Sequence, residues 1–166
     1  MAGLFARTGW AVASLAAGPL WSGAAIAQVP SVDTEIVERC AAAADPRDCI
    51  GSGAAACIDA ASGATAVQSH CYGEELDIWD SLLNAFYRAA TDRAGALDAS
   101  GQGPAVGVDA LRDMQRAWIG YRDARCTLVA LIYGGGTGAG PGGIACRMRV
   151  TAEQALVLRD LRDRLE

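Results

Sequence analysis

The stretch Tyr72-Gly-Glu-Glu-Leu-Asp-Ile-Trp-Asp-Ser-Leu-Leu-Asn-Ala-Phe-Tyr-Arg-Ala-Ala90 decides the fold that this sequence predicts. Its apolar side chains recur at steps of four and three residues, the spacing of one face of an α-helix; they are Tyr72, Leu76, Trp79, Leu83, Phe86 and Ala90. Thr65-Ala-Val-Gln68 has the spacing of a capping box, so the helix is predicted to begin near Thr65 and to end around Gly95. These side chains form a continuous row, the apolar stripe. A stripe of this length needs a second helix to bury it.

The segments on either side also have the helical period. After the polar cluster Asp98 to Pro104, a second long helix is predicted to pack antiparallel against the first; its apolar positions are Leu111, Met114, Trp118, Tyr121, Leu128 and Ile132. A last helix is predicted from about Ile144 to Leu165, with Met148, Ala152, Ala155, Leu158 and Leu161 on one face. Two short helices precede the long ones, from Asp33 to about Ala42 and from Asp45-Pro46 to Cys57. We therefore predict an all-α, disulfide-stapled bundle.

The N-terminus has the pattern of a secretory signal peptide. Arg7 precedes an apolar run, and Ala25-Ile-Ala27 has the small residues that signal peptidase requires. Gly18 and Pro19 interrupt the run, so it is a poor membrane anchor. We expect residues 1–27 to be removed, and a periplasmic or secreted product with no membrane span and no lipid anchor.

The cysteines predict disulfide bonds rather than a metal site. Six are present, all beyond the predicted leader: Cys40, Cys49, Cys57, Cys71, Cys126 and Cys146. An even number in an exported domain indicates three disulfides. No C-x-x-C pair occurs and His70 is the only histidine, which argues against zinc. Proximity in sequence favours the pairs Cys40–Cys49, Cys57–Cys71 and Cys126–Cys146.

The charge of the chain makes some classes of binding partner less suitable than others. The chain has 14 basic residues, all arginine, and 19 acidic residues, for a net charge of −5. Nucleic acid is a poor partner because its phosphates need a basic face. A cationic protein suits the charge better, although negative charge also simply keeps an exported protein soluble.

Two runs of residues form a pattern specific enough to compare with known families. The first is Asp80-x-x-Leu83-Asn84-x-x-Tyr87, and the second is Gln115-x-x-Trp118-Ile119-x-Tyr121-Arg122-Asp123-Ala124-x-Cys126. Tyr133-Gly-Gly135 and Cys146 follow. In order and spacing, this pattern resembles the domain of the lysozyme inhibitor LprI family, over roughly Cys57 to Leu161.

The resemblance implies an exported helical protein that binds and blocks lysozyme-type muramidases. It divides the chain into a signal peptide (1–27), a disulfide-containing extension (28–56) and the family domain (57–166). Two features depart from the family pattern. Gln154 stands where the family usually has an arginine, and the segment of Cys40 and Cys49 lies outside the common domain.

The motif residues are predicted to be mainly structural. Asp80 and Arg122 are expected to form a partly buried ion pair between the two long helices, with Asn84 and Tyr87 completing its hydrogen bonds. Trp118 and Tyr121 are expected in the core because they belong to the apolar positions of the second long helix. An alternative makes Arg122 and Trp118 a surface anchor for a partner, since Trp, Tyr and Arg dominate interface hot spots.

The glycine run Gly134 to Gly143 is the best candidate for contact with a partner. A slim loop clamped at its base by Cys126 and Cys146 can enter an enzyme cleft; the residues proposed for it are Gly134, Gly135, Gly136, Thr137 and Gly138. The alternative is a tolerated surface insertion. A nucleotide fingerprint at residues 138–143 is not expected because no strand precedes it.

Catalysis and cofactors are not expected. Glu74, Glu75, Asp77 and Asp80 are close in sequence, but their alternation with stripe positions is that of solvated helix residues. His70 has no evident serine partner. Two functions are therefore compatible with the sequence: a non-catalytic inhibitor of a cationic lysozyme or other cell-wall hydrolase, and a cell-envelope interaction module with another partner.

Overall fold

A computed structural model describes residues 30–61, 63–101 and 107–165 of the chain. Every regular element in these ranges is helical: α1 (Thr34–Ala42), a 3-10 helix (Pro46–Cys49), α2 (Ser52–Asp59), α3 (Thr65–Ser100), α4 (Val108–Ile132) and α5 (Ala139–Arg164). The predicted all-α class is confirmed. The expected signal peptide lies outside the described residues.

Helix α3 is the longest helix of the described residues, and it packs mainly against α5. The stripe predicted on α3 faces the core, with Trp79, Leu83 and Ala90 fully or almost fully buried. The facing side of α5 supplies Met148, Ala152, Ala155 and Leu158, as predicted. Gly95 does not end α3, which continues to Ser100 and stops at Gly101, whose φ of 63° is in the left-handed region.

Helix α4 does not pack as predicted. It lies against α5 and meets α3 only sparsely, so the expected packing of α4 against α3 is wrong. Leu111 and Cys126 are buried, but Tyr121, Leu128 and Ile132 are each more than half exposed. The physical reason is that α5 already covers the apolar face of α3, which leaves α4 with one neighbour instead of two.

Of the two short helices predicted near the N-terminus, the first is confirmed and the second is divided. Asp33 caps α1 by accepting a hydrogen bond from the Glu35 N–H at 2.9 Å. Asp45 makes no side-chain cap, and the helix predicted from Asp45 to Cys57 is split at Gly51, whose φ is 95°. Ile50 is extended and Gly51 is left-handed, so neither residue continues a right-handed helix, and α2 begins anew at Ser52.

The capping box predicted at the start of α3 does not form. Ala64 is the N-cap residue, and Thr65 is the first residue of the helix. The Gln68 side chain instead donates to the Gly63 carbonyl at 2.7 Å. Helix α3 therefore begins where it was predicted to begin, through a different contact.

Glu75 is a buried carboxylate that joins the N-terminal elements to α3. It was predicted to be solvated, but it is only 1% exposed. Its Oε1 accepts from the Gly51 N–H at 2.8 Å and from the Trp79 indole N–H at 3.0 Å, and its Oε2 accepts from the Ala54 N–H at 2.6 Å. The carboxylate therefore accepts from two of the backbone N–H groups at the start of α2 that have no partner within the helix.

Three disulfides link these helices in pairs. They join Cys40 to Cys49, Cys57 to Cys71 and Cys126 to Cys146, the same pairs that the sequence analysis expected. The first holds the 3-10 helix to α1, the second holds α2 to α3, and the third holds α4 to α5. Every helix of the described residues is thus linked covalently to a neighbour.

Candidate functional site

The Cys126–Cys146 disulfide is the base of a projection that we call the tip, residues 127–145. The tip consists of the end of α4, the connecting loop and the first turns of α5. Cys126 is buried at its base, and the sulfurs close a segment with a sequence separation of 20. The disulfide therefore limits how far α4 and α5 can separate where the tip begins.

The tip exposes large apolar side chains. Leu128 is 61% exposed, Leu131 68%, Ile132 76% and Tyr133 51%. Four such residues within six positions are unusual for a surface that contacts only water, because their exposure forfeits hydrophobic stabilisation. This patch was not predicted: Leu128 and Ile132 were assigned to the apolar face of the helix, and no position was predicted for the side chain of Leu131.

The loop of the tip is shorter and more ordered than predicted. Gly134 and Gly135 adopt φ angles of 59° and 78°, which glycine accepts without strain. The Gly134 N–H donates to the Leu131 carbonyl at 2.9 Å, and the Gly136 N–H donates to the Tyr133 carbonyl at 2.9 Å. The proposed contact residues 134–138, with Thr137 exposed, thus form a hydrogen-bonded turn.

The second half of the glycine run belongs to α5. The helix was predicted to begin near Ile144, but it begins at Ala139 and includes Gly140, Gly142 and Gly143. Pro141 does not prevent this because it lies in the first turn, where the backbone N–H has no partner within the helix.

The ring of Tyr133 is the reason that positions 138 and 142 need glycine. A Cβ placed on Gly138 would lie 2.7 Å from Cδ1 of Tyr133, and one placed on Gly142 would collide with the same ring. The glycines let the ring lie against the backbone at the start of α5. On another part of the tip, a cavity of about 420 Å³ is lined by residues that include Ala130, Leu131, Gly143, Ile144 and Arg147.

The motif residues on the long helices are arranged differently from the prediction. Asp80 accepts a hydrogen bond from Asn84 at 3.0 Å, one turn along the same helix. Arg122 donates to Asp123 at 3.0 Å, and its guanidinium carbon lies 5.0 Å from the centre of the Trp118 ring. The predicted Asp80–Arg122 ion pair is therefore wrong, because α3 and α4 are not packed side by side.

The other motif residues fall into three environments. Leu83 is buried, and Tyr87 and Trp118 are partly buried against the core, whereas Tyr121 is 54% exposed and is not a core residue. Gln115 is buried and accepts a hydrogen bond from the Gln154 amide of α5 at 3.0 Å. The glutamine that stands in the expected arginine position is thus paired with a motif residue.

Neither a metal centre nor a membrane-crossing helix is found among the described residues. No group of three or more His, Cys, Asp or Glu side chains in residues 30–61, 63–101 and 107–165 is arranged to hold a metal ion. No helix in the same ranges is both long enough and apolar enough to cross a bilayer. His70 lies 3.3 Å from Glu74, which also accepts from the Val32 N–H at 2.7 Å.

The fold and the site define a small, disulfide-linked helical domain with an exposed apolar tip. The family model described as "Lysozyme inhibitor LprI" matches residues 57–158, and the chain belongs to this family. The resemblance seen in the sequence is therefore confirmed.

A curated relative and the solved structures add little to this assignment. The chain is similar to an uncharacterized protein of Rhizobium meliloti (strain 1021), with 32% identity over 103 residues, which cover 58% of this chain and 72% of the relative. No solved structure matches the chain.

Proposed function

We propose that this protein binds lysozyme-type muramidases outside the cytoplasm and blocks them with its tip. The observation that carries the proposal is an exposed, clamped apolar projection on a chain that belongs to the lysozyme inhibitor LprI family. The action proposed is occlusion of the enzyme's cleft, without catalysis and without a cofactor.

The shape of the tip supports insertion into a cleft. The turn at residues 134–138 has side chains only at Thr137, so its backbone can approach an enzyme surface closely. The adjacent Leu131 and Ile132 supply apolar area that a partner can bury, at about 25 cal/mol per Å². The disulfide and the hydrogen-bonded turn reduce the entropy that binding would otherwise cost.

The charge supports a cationic partner. The chain has a net charge of −5, and removal of the expected leader would take away one further positive charge, that of Arg7. A net negative inhibitor attracts a cationic muramidase over long range, and this raises the rate of association more than the final affinity. The salt dependence of binding should therefore be strong.

The three disulfides support a periplasmic or secreted location. Bonds of this kind persist in oxidising compartments and are rare in the cytosol. They agree with the signal peptide expected at residues 1–27, whose removal would leave a chain that begins at Gln28.

A turbidity assay tests the proposal. Suspended bacterial cell walls would be lysed by c-type or g-type lysozyme with and without the purified protein, with its disulfides intact. We expect lysis by at least one class to slow at micromolar concentrations of the protein. Undiminished lysis by both classes of lysozyme would contradict the proposal. The tip would then be better explained as the binding surface of an interaction module with a different partner in the cell envelope.

A further inference from the structure

We propose that a groove beside α4 and α5 is a second binding site, for a small organic anion that consists of a ring with a carboxylate or phosphate group. The groove has a volume of about 430 Å³, which is within the range of small-ligand pockets. Its wall includes residues of three elements: Arg47 of the 3-10 helix, Trp118, Tyr121 and Arg125 of α4, and Arg149 and Glu153 of α5.

The charge of the groove is opposite to that of the whole chain. Three arginines and one glutamate line it, although the chain carries a net charge of −5. Within the described residues, neither Arg47 nor Arg149 has a hydrogen bond or an ion pair. Guanidinium groups bind carboxylate and phosphate through paired hydrogen bonds, so these two side chains are available to an anionic ligand.

Arg125 is held in position but retains free donors. Its Nη1 donates to the Tyr121 hydroxyl at 3.1 Å and lies 3.9 Å from Oε2 of Glu153. The guanidinium carbon is also 5.9 Å from the centre of the Tyr121 ring. Since a guanidinium has five N–H donors, most of those of Arg125 remain for a ligand.

Two aromatic rings supply the apolar part of the site. Trp118 is partly buried and Tyr121 is 54% exposed, and both line the groove. Tyr121 contributes little to the core at this exposure, so its ring and hydroxyl are placed where a ligand can contact them. A ring-shaped ligand can stack on these side chains while its anionic group meets the arginines.

The helices that carry the groove residues are held in place before any ligand binds. Arg47 belongs to a short helix that is held by the Cys40–Cys49 disulfide and by the buried Pro46. On α5, Gln154 lines the groove and is hydrogen-bonded to Gln115 at 3.0 Å. Binding of a small molecule therefore orders the side chains of Arg47 and Arg149 but does not have to order the backbone.

The groove is distinct from the tip, and the inference does not depend on the proposed inhibition. A cationic enzyme would be repelled by the three arginines, so the same surface does not suit both ligands. Loss of either activity would leave the other unaffected.

Titration calorimetry with three probes of similar size tests the site. Phenylacetate carries a carboxylate, phenyl phosphate carries a phosphate, and 2-phenylethylamine carries a positive charge on a similar ring. We expect at least one of the two anions to bind with a Kd of about 1 mM or lower, and the amine not to bind. The tighter of the two anions identifies the preferred group.

Matched variants locate the binding. Arg149→Gln should weaken anion binding about tenfold, because it removes a charged donor from the groove. Arg88→Gln makes the same change of charge at an exposed position of α3, outside the groove, and should leave binding unchanged. Tyr121→Leu should weaken binding without changing the helical circular dichroism, since its side chain is exposed.

Several results would overturn the proposal. Equal effects of Arg149→Gln and Arg88→Gln would show that binding responds only to the overall charge of the protein. Equal binding of the amine would show an apolar site without charge selection. Absence of binding by both anions at about 10 mM, ten times the expected Kd, would exclude the site. Binding of an acidic hexapeptide when neither small anion binds would assign the groove to a polypeptide.

Discussion

The carboxylate of Glu75 on α3 accepts a hydrogen bond from the backbone N–H of Ala54 on α2 at 2.6 Å. The two residues are 21 positions apart, and both are buried. This contact places a negative charge at the start of α2, where Gly51 also donates to it, and thereby joins residues outside the matched family domain to the main helix of that domain.

Glu75→Gln should lower the free energy of unfolding by about 2 kcal/mol or more. The amide nitrogen of the new side chain would face a backbone donor, and hydrogen bonds to a charged acceptor are worth about 1.5–3 kcal/mol. Glu38→Gln, at an exposed position of α1, is the matched control and should change stability little. Chemical denaturation with the disulfides intact measures both; equal, small effects would show that the buried contacts of Glu75 contribute nothing.

The contributions of Gln115 and Gln154 to the free energy of unfolding should depend on each other. Gln115→Leu alone leaves the Gln154 amide buried without its partner, which costs about 1–3 kcal/mol. Replacement of both by leucine should recover much of this loss, because neither polar group then remains unpaired. A double-mutant cycle measured by denaturation checks the coupling. Additive losses would mean that the two side chains do not depend on each other.

The Cys126–Cys146 disulfide should stabilise both the fold and the tip. Replacement of both cysteines by serine opens a segment with a sequence separation of 20 and should lower the unfolding free energy by about 3 kcal/mol. Inhibition should weaken further, at equal folded fraction, because the tip would have to be ordered on binding. Unchanged inhibition per folded molecule would show that the clamp does not organise the binding surface.

The contact between Tyr133 and Gly142 allows the shape of the tip to be changed with little loss of stability. Gly142→Ala places a methyl group against the ring, which must then move away from α5. Inhibition should fall in the native background. In a Tyr133→Ala background the same change should add helix propensity, up to about 1 kcal/mol, and have no further effect on inhibition. Equal loss of inhibition in both backgrounds would exclude the ring as the cause.

Local patterns were sufficient to predict the all-α class, the approximate positions of the three long helices and the disulfide pairs. The stripe from Tyr72 to Ala90 and the Asp33 cap are signals contained within a few turns of chain. They do not identify the neighbour of each helix. The partner of α3 is α5 rather than α4, and for this reason the predicted Asp80–Arg122 pair and the buried position of Tyr121 were wrong.

The candidate sites were harder to predict because they depend on contacts distant in sequence. Glu75 has the spacing of a solvated residue, and only the approach of α2 shows that it is buried. The groove brings Arg47 together with Arg125 and Arg149, and no motif relates these positions. The loop at residues 134–138 was predicted from its glycines and from the cysteines on either side of it, whereas the apolar patch beside it follows from the exposed end of α4.

The most direct test of the account is the inhibition of lysozyme by variants of the tip. Leu131→Ser with Ile132→Ser removes exposed apolar side chains from the tip, and Ile119→Ser makes the same kind of change elsewhere on α4, where the side chain is 42% exposed. We predict inhibition by the native protein, a loss of about tenfold or more in the double variant, and little change for Ile119→Ser. No inhibition by the native protein, or equal inhibition by all three proteins, would contradict the account.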